Sequence, residues 1–125
     1  MKKTILCVED NPDNMLLVKR VLESRGYHVL EAENGTKGLD VATRDHVDLV
    51  LLDINLPDID GYEVARRLRS SGSQKLAYVP IIAITANALK GDAEKALEAG
   101  CDVYMSKPIN VRELWARVEG FVGSS

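Results

Sequence analysis

Short apolar runs alternate with longer amphipathic stretches along the whole chain. Residues 4–8, 27–32, 49–52, 79–84 and 103–105 are brief and rich in strand-forming side chains. Between the first two, Met15, Val18, Val21 and Leu22 recur at helical spacing until Gly26, and Pro12 suits an early position of that helix. Leu39, Val41 and Ala42 face inward in a helix over 36–44, after an Asn34-Gly35 turn. Val64, Ala65 and Leu68 do the same over 61–70. A loop rich in Ser and Gly, residues 70–73, leads into the fourth strand. A helix over 92–99 stops at Gly100, and Asn110 caps a last helix carrying Val111, Leu114, Trp115 and Val118.

Five strands alternating with five helices predict βαβ units and a mostly parallel sheet covered on both faces. The nearly unbroken apolar character of strands one, three and four agrees with burial on both sides. The expected fold class is α/β: a doubly wound five-stranded parallel sheet, order 2-1-3-4-5, flavodoxin-like. With no linker, low-complexity segment or repeat, residues 1–125 form one domain. In such a sheet a ligand sits beyond the carboxyl ends of the strands, at the switch point between strands one and three.

Composition narrows the class without naming the chemistry. A net charge of −3 with scattered Lys and Arg gives no footprint for direct nucleic-acid binding. No apolar run approaches the roughly 18 residues of a membrane span, so no membrane insertion is expected. The two cysteines, Cys7 and Cys101, lie in apolar or structured contexts, and buried reduced thiols fit a cytoplasmic setting.

The strand ends carry the chemistry. Strand one ends in Glu9-Asp10, strand three in Asp53 and strand four in Thr85-Ala86, while Ser106-Lys107-Pro108 follows strand five. Each residue alone has an ordinary explanation: a helix cap for Asp10, β-propensity for Thr85, an exposed loop for Lys107. Together they are harder to dismiss. Three crowded carboxylates repel one another unless a cation neutralises them. Hard oxygen ligands without His or Cys favour Mg²⁺ (or Mn²⁺) over zinc. With a lysine and a hydroxyl added, the set suits phosphoryl transfer to a carboxylate.

The acidic pair Glu9-Asp10, the aspartate in LLDINLPDIDG, the hydroxyl in AITA and the lysine in SKP together resemble the receiver domain of the two-component response-regulator family, over the whole length of the chain. TANALKGD and GCDVYMSKPI are similar to single-domain regulators of the DivK kind and to receivers of hybrid kinases. The resemblance implies that Asp53 is the phosphoacceptor, taking its phosphoryl group from a sensor histidine kinase or a histidine phosphotransfer protein. Asp10, Asp53 and the backbone carbonyl of Asn55 would hold the metal directly, and Glu9 through water. Lys107 would hold a phosphoryl oxygen, next to a cis bond to Pro108. Thr85 would move toward the phosphoryl group and Tyr104 would change rotamer. The switch would be read by a downstream protein across the fourth helix, fifth strand and fifth helix, including Ala88, Leu89 and Tyr104. Asn55 and Asn87 occupy positions that influence the lifetime of the acyl phosphate. Such a protein is a phosphoacceptor switch that assists its own phosphorylation and dephosphorylation rather than an enzyme.

The remaining signals are assigned to structure. Arg66, Arg67 and Arg69 are expected on a solvated face, and Trp115 in the packing of the last helix. Asp48 belongs to a turn or solvated position, Asp58 is a loop residue, and Asp60 caps the third helix. Asp58-Ile59-Asp60-Gly61 superficially matches the nucleophile loop of haloacid-dehalogenase-type phosphatases, but it follows strand three and is preceded by Pro57. An FMN binder of this topology would need a phosphate loop where Glu9-Asp10-Asn11-Pro12 stands. Met1 followed at once by strand one favours a stand-alone regulator or an N-terminal receiver; a receiver excised from a hybrid kinase or multidomain regulator is the alternative.

Overall fold

The chain folds as β1 (Thr4–Val8), α1 (Pro12–Ser24), β2 (His28–Ala32), α2 (Gly35–Arg44), β3 (Leu49–Asp53), α3 (Gly61–Arg69), α4 (Gln74–Tyr78), β4 (Ile81–Thr85), α5 (Asp92–Ala99), β5 (Val103–Ser106) and α6 (Val111–Val122). The computed structural model describes residues 2–86 and 91–123. All strand pairings are parallel, and the order is β2-β1-β3-β4-β5, as the alternating pattern predicts.

Because side chains alternate across a strand, the sheet divides the core in two. Leu6, Val8, Val50, Leu52, Ile81 and Ala83 point to one face, where Ala42 of α2, Val64 and Leu68 of α3, Leu76 of α4 and Ala96 of α5 cover them. Ile5, Cys7, Leu49, Leu51, Ile82 and Ile84 point to the other, under Met15, Val18 and Leu22 of α1 and Leu114 and Val118 of α6. Every residue of β3 is buried, which explains its unbroken aliphatic run. Cys7 and Cys101 are free thiols buried on opposite faces. Trp115 packs with the second cluster, and the Arg25 guanidinium stacks 3.8 Å from its ring centroid. Among the described residues, no helix is long and apolar enough to cross a membrane.

Capping explains several boundaries. Asn11, Asn34, Asp60 and Asn110 each accept a backbone N–H from the first turn of the helix they precede. Asn34 is thus a cap, with Gly35 the first residue of α2, rather than the closing pair of a turn.

Three expectations need correction. Six helices are present among the described residues, not five. The extra one, α4, is capped by Ser73 and buries Leu76, but five residues are too few to display a period. Arg66 and Arg67 are exposed as expected, whereas Arg69 turns inward. Its guanidinium donates to the carbonyls of Gly100, Leu76 and Val79 and pairs with Asp102 at 3.1 Å. Asp48 stands at a bend, one of its two expected positions, but its carboxylate is held rather than left to solvent. Its carboxylate accepts the Thr4 N–H at 2.8 Å while its own N–H donates to the Thr4 carbonyl, which fixes the start of β3 beside β1.

Candidate functional site

Continuation of the ladders beyond the strands sets the positions of the polar residues. Glu9 N–H donates to the Ala32 carbonyl, Ile54 N–H to the Ile84 carbonyl and Lys107 N–H to the Thr85 carbonyl, at 2.8–3.0 Å. Glu9, Asp53, Thr85 and Lys107 are thereby delivered to one edge of the sheet at its switch point.

The side chains of Glu9, Asp10, Asp53 and Lys107 come together there. Carboxylate oxygens of Glu9, Asp10 and Asp53 lie within 4.8 Å of one another. Asp53 is only 1% exposed and Glu9 3%, while Asp10 faces solvent. Lys107 Nζ donates to Asp53 Oδ2 at 3.0 Å and stands 3.6 Å from Glu9 Oε1. Asn55 donates its backbone N–H to Asp53 Oδ1 at 3.0 Å. The Lys107–Pro108 bond is cis. Tyr104 is exposed on β5. Asn87, Ala88 and Leu89 lie outside the described residues.

The electrostatics are those of a cluster with more negative than positive groups. Burial, followed by the neighbouring Asp53 carboxylate, pushes the Glu9 pKa up to about 7. Glu9 Oε1 is buried and accepts no hydrogen bond. Burial alone would lower the Lys107 pKa, but Asp53 and then Glu9 outweigh it and raise it. The Lys107 ammonium thus pairs with two of the three carboxylates, and the orphaned Glu9 oxygen is aimed among hard donors. The residues present fit a small divalent cation such as Mg²⁺. A cleft of ≈ 500 Å³ opens beside them, lined by Glu9, Asp10, Met15, Leu16, Lys19 and Lys37 among others.

Thr85 is 2% exposed, and its hydroxyl donates to Asp92 Oδ2 at 3.1 Å. That contact was invisible in the sequence, since nothing in the chemistry of Asp92 distinguishes it from an ordinary first-turn acid of α5. Asp58 has a firmer role than its loop position implied. It accepts the N–H groups of Gly35 and Thr36 and the Thr36 hydroxyl, which leads the causes that hold its pKa well below the usual carboxylate range. A carboxylate committed to the start of α2 in this way is no nucleophile, which removes the structural basis of the phosphatase reading.

Gly61 is the residue the sequence reading overlooked. A Cβ there would stand 2.5 Å from the Asp53 carbonyl oxygen and 2.7 Å from Ile54 Cα. Its bare backbone lets α3 begin directly against the end of β3, and its N–H donates to the Ile54 carbonyl. Gly61→Ala is expected to lower stability by about 1–3 kcal/mol in urea melts, because the clash is with backbone and outweighs any gain in helix propensity.

Comparison with known proteins places this constellation. Residues 5–119 match the family model described as response regulator receiver domain. The polar-differentiation response regulator DivK of Brucella abortus (strain 2308) is 38% identical over 125 residues, covering all of both chains. The crystallised receiver domain of a sensor histidine kinase from Pseudomonas aeruginosa PAO1, with a magnesium ion coordinated in its active-site cleft, is 40% identical. It has a TM-score of 0.89, with 99% of this chain and 100% of that chain covered. A CheY-like response regulator receiver domain protein from Methanospirillum hungatei JF-1 is 30% identical with a TM-score of 0.87, over 96% of this chain and 93% of that one. With the sheet order, the acidic trio and the lysine already in place, these matches make the chain a member of the response regulator receiver family.

Proposed function

We propose that residues 1–125 act as a single receiver domain in which Asp53 accepts a phosphoryl group from a phosphohistidine of a sensor histidine kinase or histidine phosphotransfer protein. The observation that carries this reading is the setting of Asp53. A fully buried strand ends in a carboxylate that meets one ammonium and two further carboxylates at the open edge of the sheet.

In the proposed reaction a carboxylate oxygen of Asp53 bonds to phosphorus as the bond to the donor histidine nitrogen breaks. The product is an acyl phosphate, and the imidazole leaves neutral because the other ring nitrogen of the phosphohistidine carries a proton. Asp10, Asp53 and the Asn55 carbonyl would hold Mg²⁺ or Mn²⁺, with Glu9 through water; the cation supplies charge neutralisation for the incoming phosphoryl oxygens. Lys107 transfers its attention from Asp53 to a phosphoryl oxygen, and its charge is retained throughout because Asp53 and Glu9 favour the ammonium. The cleft beside α1, with exposed Leu16 on its rim, gives the donor an approach to the Glu9-Asp10 side of the acidic cluster. Thr85 and Tyr104 then carry the change to a protein target at α5, β5 and α6. The chain works stoichiometrically, in the cytoplasm, as a switch rather than a turnover enzyme.

Acetyl phosphate with Mg²⁺ should add a single phosphoryl group, removable with hydroxylamine as an acyl phosphate is. Steady hydrolysis of unrelated phosphomonoesters, or no labelling of folded protein, would overturn the reading. Mg²⁺ itself should raise the thermal midpoint. At one hundred times its Kd the expected stabilisation is about 2.7 kcal/mol, and Asp10→Ala should lose most of it.

A further inference from the structure

The loop between β3 and α3 is held at its base by backbone, because the N–H groups of Leu56 and Gly61 both donate to the Ile54 carbonyl. Within it, the Asn55 N–H donates to Asp53 Oδ1 at 3.0 Å while Lys107 Nζ donates to Oδ2 at 3.0 Å. Those two bonds fix the plane of the Asp53 carboxylate, and one of them is only as steady as the loop that brings it. Three residues beyond Asn55, the exposed Asp58 collects three donors from the start of α2. Its Oδ1 accepts the Gly35 N–H at 2.8 Å, and its Oδ2 accepts the Thr36 N–H at 2.8 Å and the Thr36 hydroxyl at 2.5 Å. The junction is closely fitted as well: a Cβ on Gly35 would stand 2.5 Å from Ile59 Cγ1.

Helix α2 already has a cap of its own, since Asn34 Oδ1 accepts the Lys37 N–H at 2.8 Å. The Asp58 bonds differ from that cap because they reach the helix from a distant loop. Between Asp58 and Asn55 stand only Leu56 and Pro57. A proline fixes its own φ and restricts the residue before it, so this segment passes a constraint along rather than absorbing it. Leu56, partly buried against the core, adds to that stiffness. We propose that Asp58 is a positioning residue for the acceptor: by pinning the loop to the start of α2, it holds the Asn55 N–H where that group orients the Asp53 carboxylate. Asp58 touches no reacting atom, and a small misplacement of the acceptor is enough to slow an in-line attack. The inference rests on Asp53 being the phosphoacceptor, and adds an anchor outside the acidic cluster on which the aim of that carboxylate depends.

The test uses the full ¹⁵N-labelled chain without metal, in which the chemical shift and hydrogen exchange of the Asn55 amide report its bond to Asp53. The initial rate of labelling by acetyl phosphate with Mg²⁺ is measured in parallel. In Asp58→Ala the Asn55 amide should move upfield and exchange roughly three- to ten-fold faster, the worth of one net hydrogen bond, and labelling should slow by a similar factor. Asp58→Asn keeps an accepting oxygen and should restore both readouts. Asn34→Ala removes the cap that α2 makes for itself and should leave both where they were, although it too weakens the start of that helix. Thr36→Val removes one of the three donors and should move the Asn55 amide the same way by less; it carries the test should Asp58→Ala fail to fold. An Asn55 amide that stays in place in Asp58→Ala, or in Thr36→Val when that variant stands in, makes Asp58 a helix cap alone and overturns the proposal. An equal effect in Asn34→Ala overturns it too, by tracing the change to α2 itself. Because the amide is read without phosphoryl transfer, these failures are distinct from labelling of Asp53→Asn to the wild-type extent, which would remove the acceptor assignment.

Discussion

Asp53→Asn will reduce phosphoryl labelling by acetyl phosphate to background, whereas Asp58→Asn and Asp60→Asn will label as the wild type does. The amide is close in shape to the carboxylate and can still accept the Asn55 N–H, so the backbone around it should hold. What it lacks is a nucleophilic oxygen, and no other carboxylate shares the position. Glu9 is buried in the same cluster with its charged form disfavoured, Asp58 is bound to the start of α2, and Asp60 caps α3. Mass spectrometry of the intact chain after a fixed exposure measures the effect directly. Persistent labelling of the Asn variant at Asp58 or Asp60 would contradict the assignment.

The largest effect on stability is expected at Arg69. Removing its guanidinium in Arg69→Ala leaves the carbonyls of Gly100, Leu76 and Val79 short of a donor and breaks the pair with Asp102. Hydrogen bonds to charged groups contribute about 1.5–3 kcal/mol each but share one side chain's entropy, so a net loss of about 3 kcal/mol is expected. That is a large part of the 5–15 kcal/mol typical of a domain. Arg69→Lys should recover less than half of it, since an ammonium cannot reproduce the planar fork that reaches several carbonyls at once. Urea melts of the two variants decide the matter, and a loss under 1 kcal/mol for Arg69→Ala would mean that water replaces the guanidinium.

The contrast between Asp53 and Arg69 explains what was legible in the chain. Asp53 is announced by its surroundings: four aliphatic residues with no periodicity can only be a strand buried on both faces, and a charge ending such a strand needs a reason. Asp60 and Asn110 are legible for a similar reason, because a cap acts within three residues of itself, although at α1 the cap is Asn11 and not its neighbour Asp10. Arg69 sits among Arg66 and Arg67 and looks like them. Its partners lie up to 33 positions away, and their acceptors are mostly backbone carbonyls, which carry no side-chain signature. Asp48 and Asp58 escaped notice on the same account. Helix α4 was hidden by its brevity, and Gly61 because a close approach of two backbones leaves only an absence of side chain to read.

The polar ties at the two ends of the sheet are of opposite kinds. At the amino-terminal edge Asp48 grips Thr4, Asp102 accepts the Ile81 N–H, and Arg69 holds three carbonyls. Nearly every one of these bonds uses a backbone group, which cannot swap partners without undoing register. At the carboxyl-terminal edge the key contacts, Lys107 with Asp53 and Thr85 with Asp92, join side chain to side chain and can be traded. The sheet behaves as a beam clamped at one end and free at the other. Rearrangement at the tip is insulated from the clamp, so amide exchange should grade along each strand, and an incoming charge can alter the tip many times without eroding the fold that presents it.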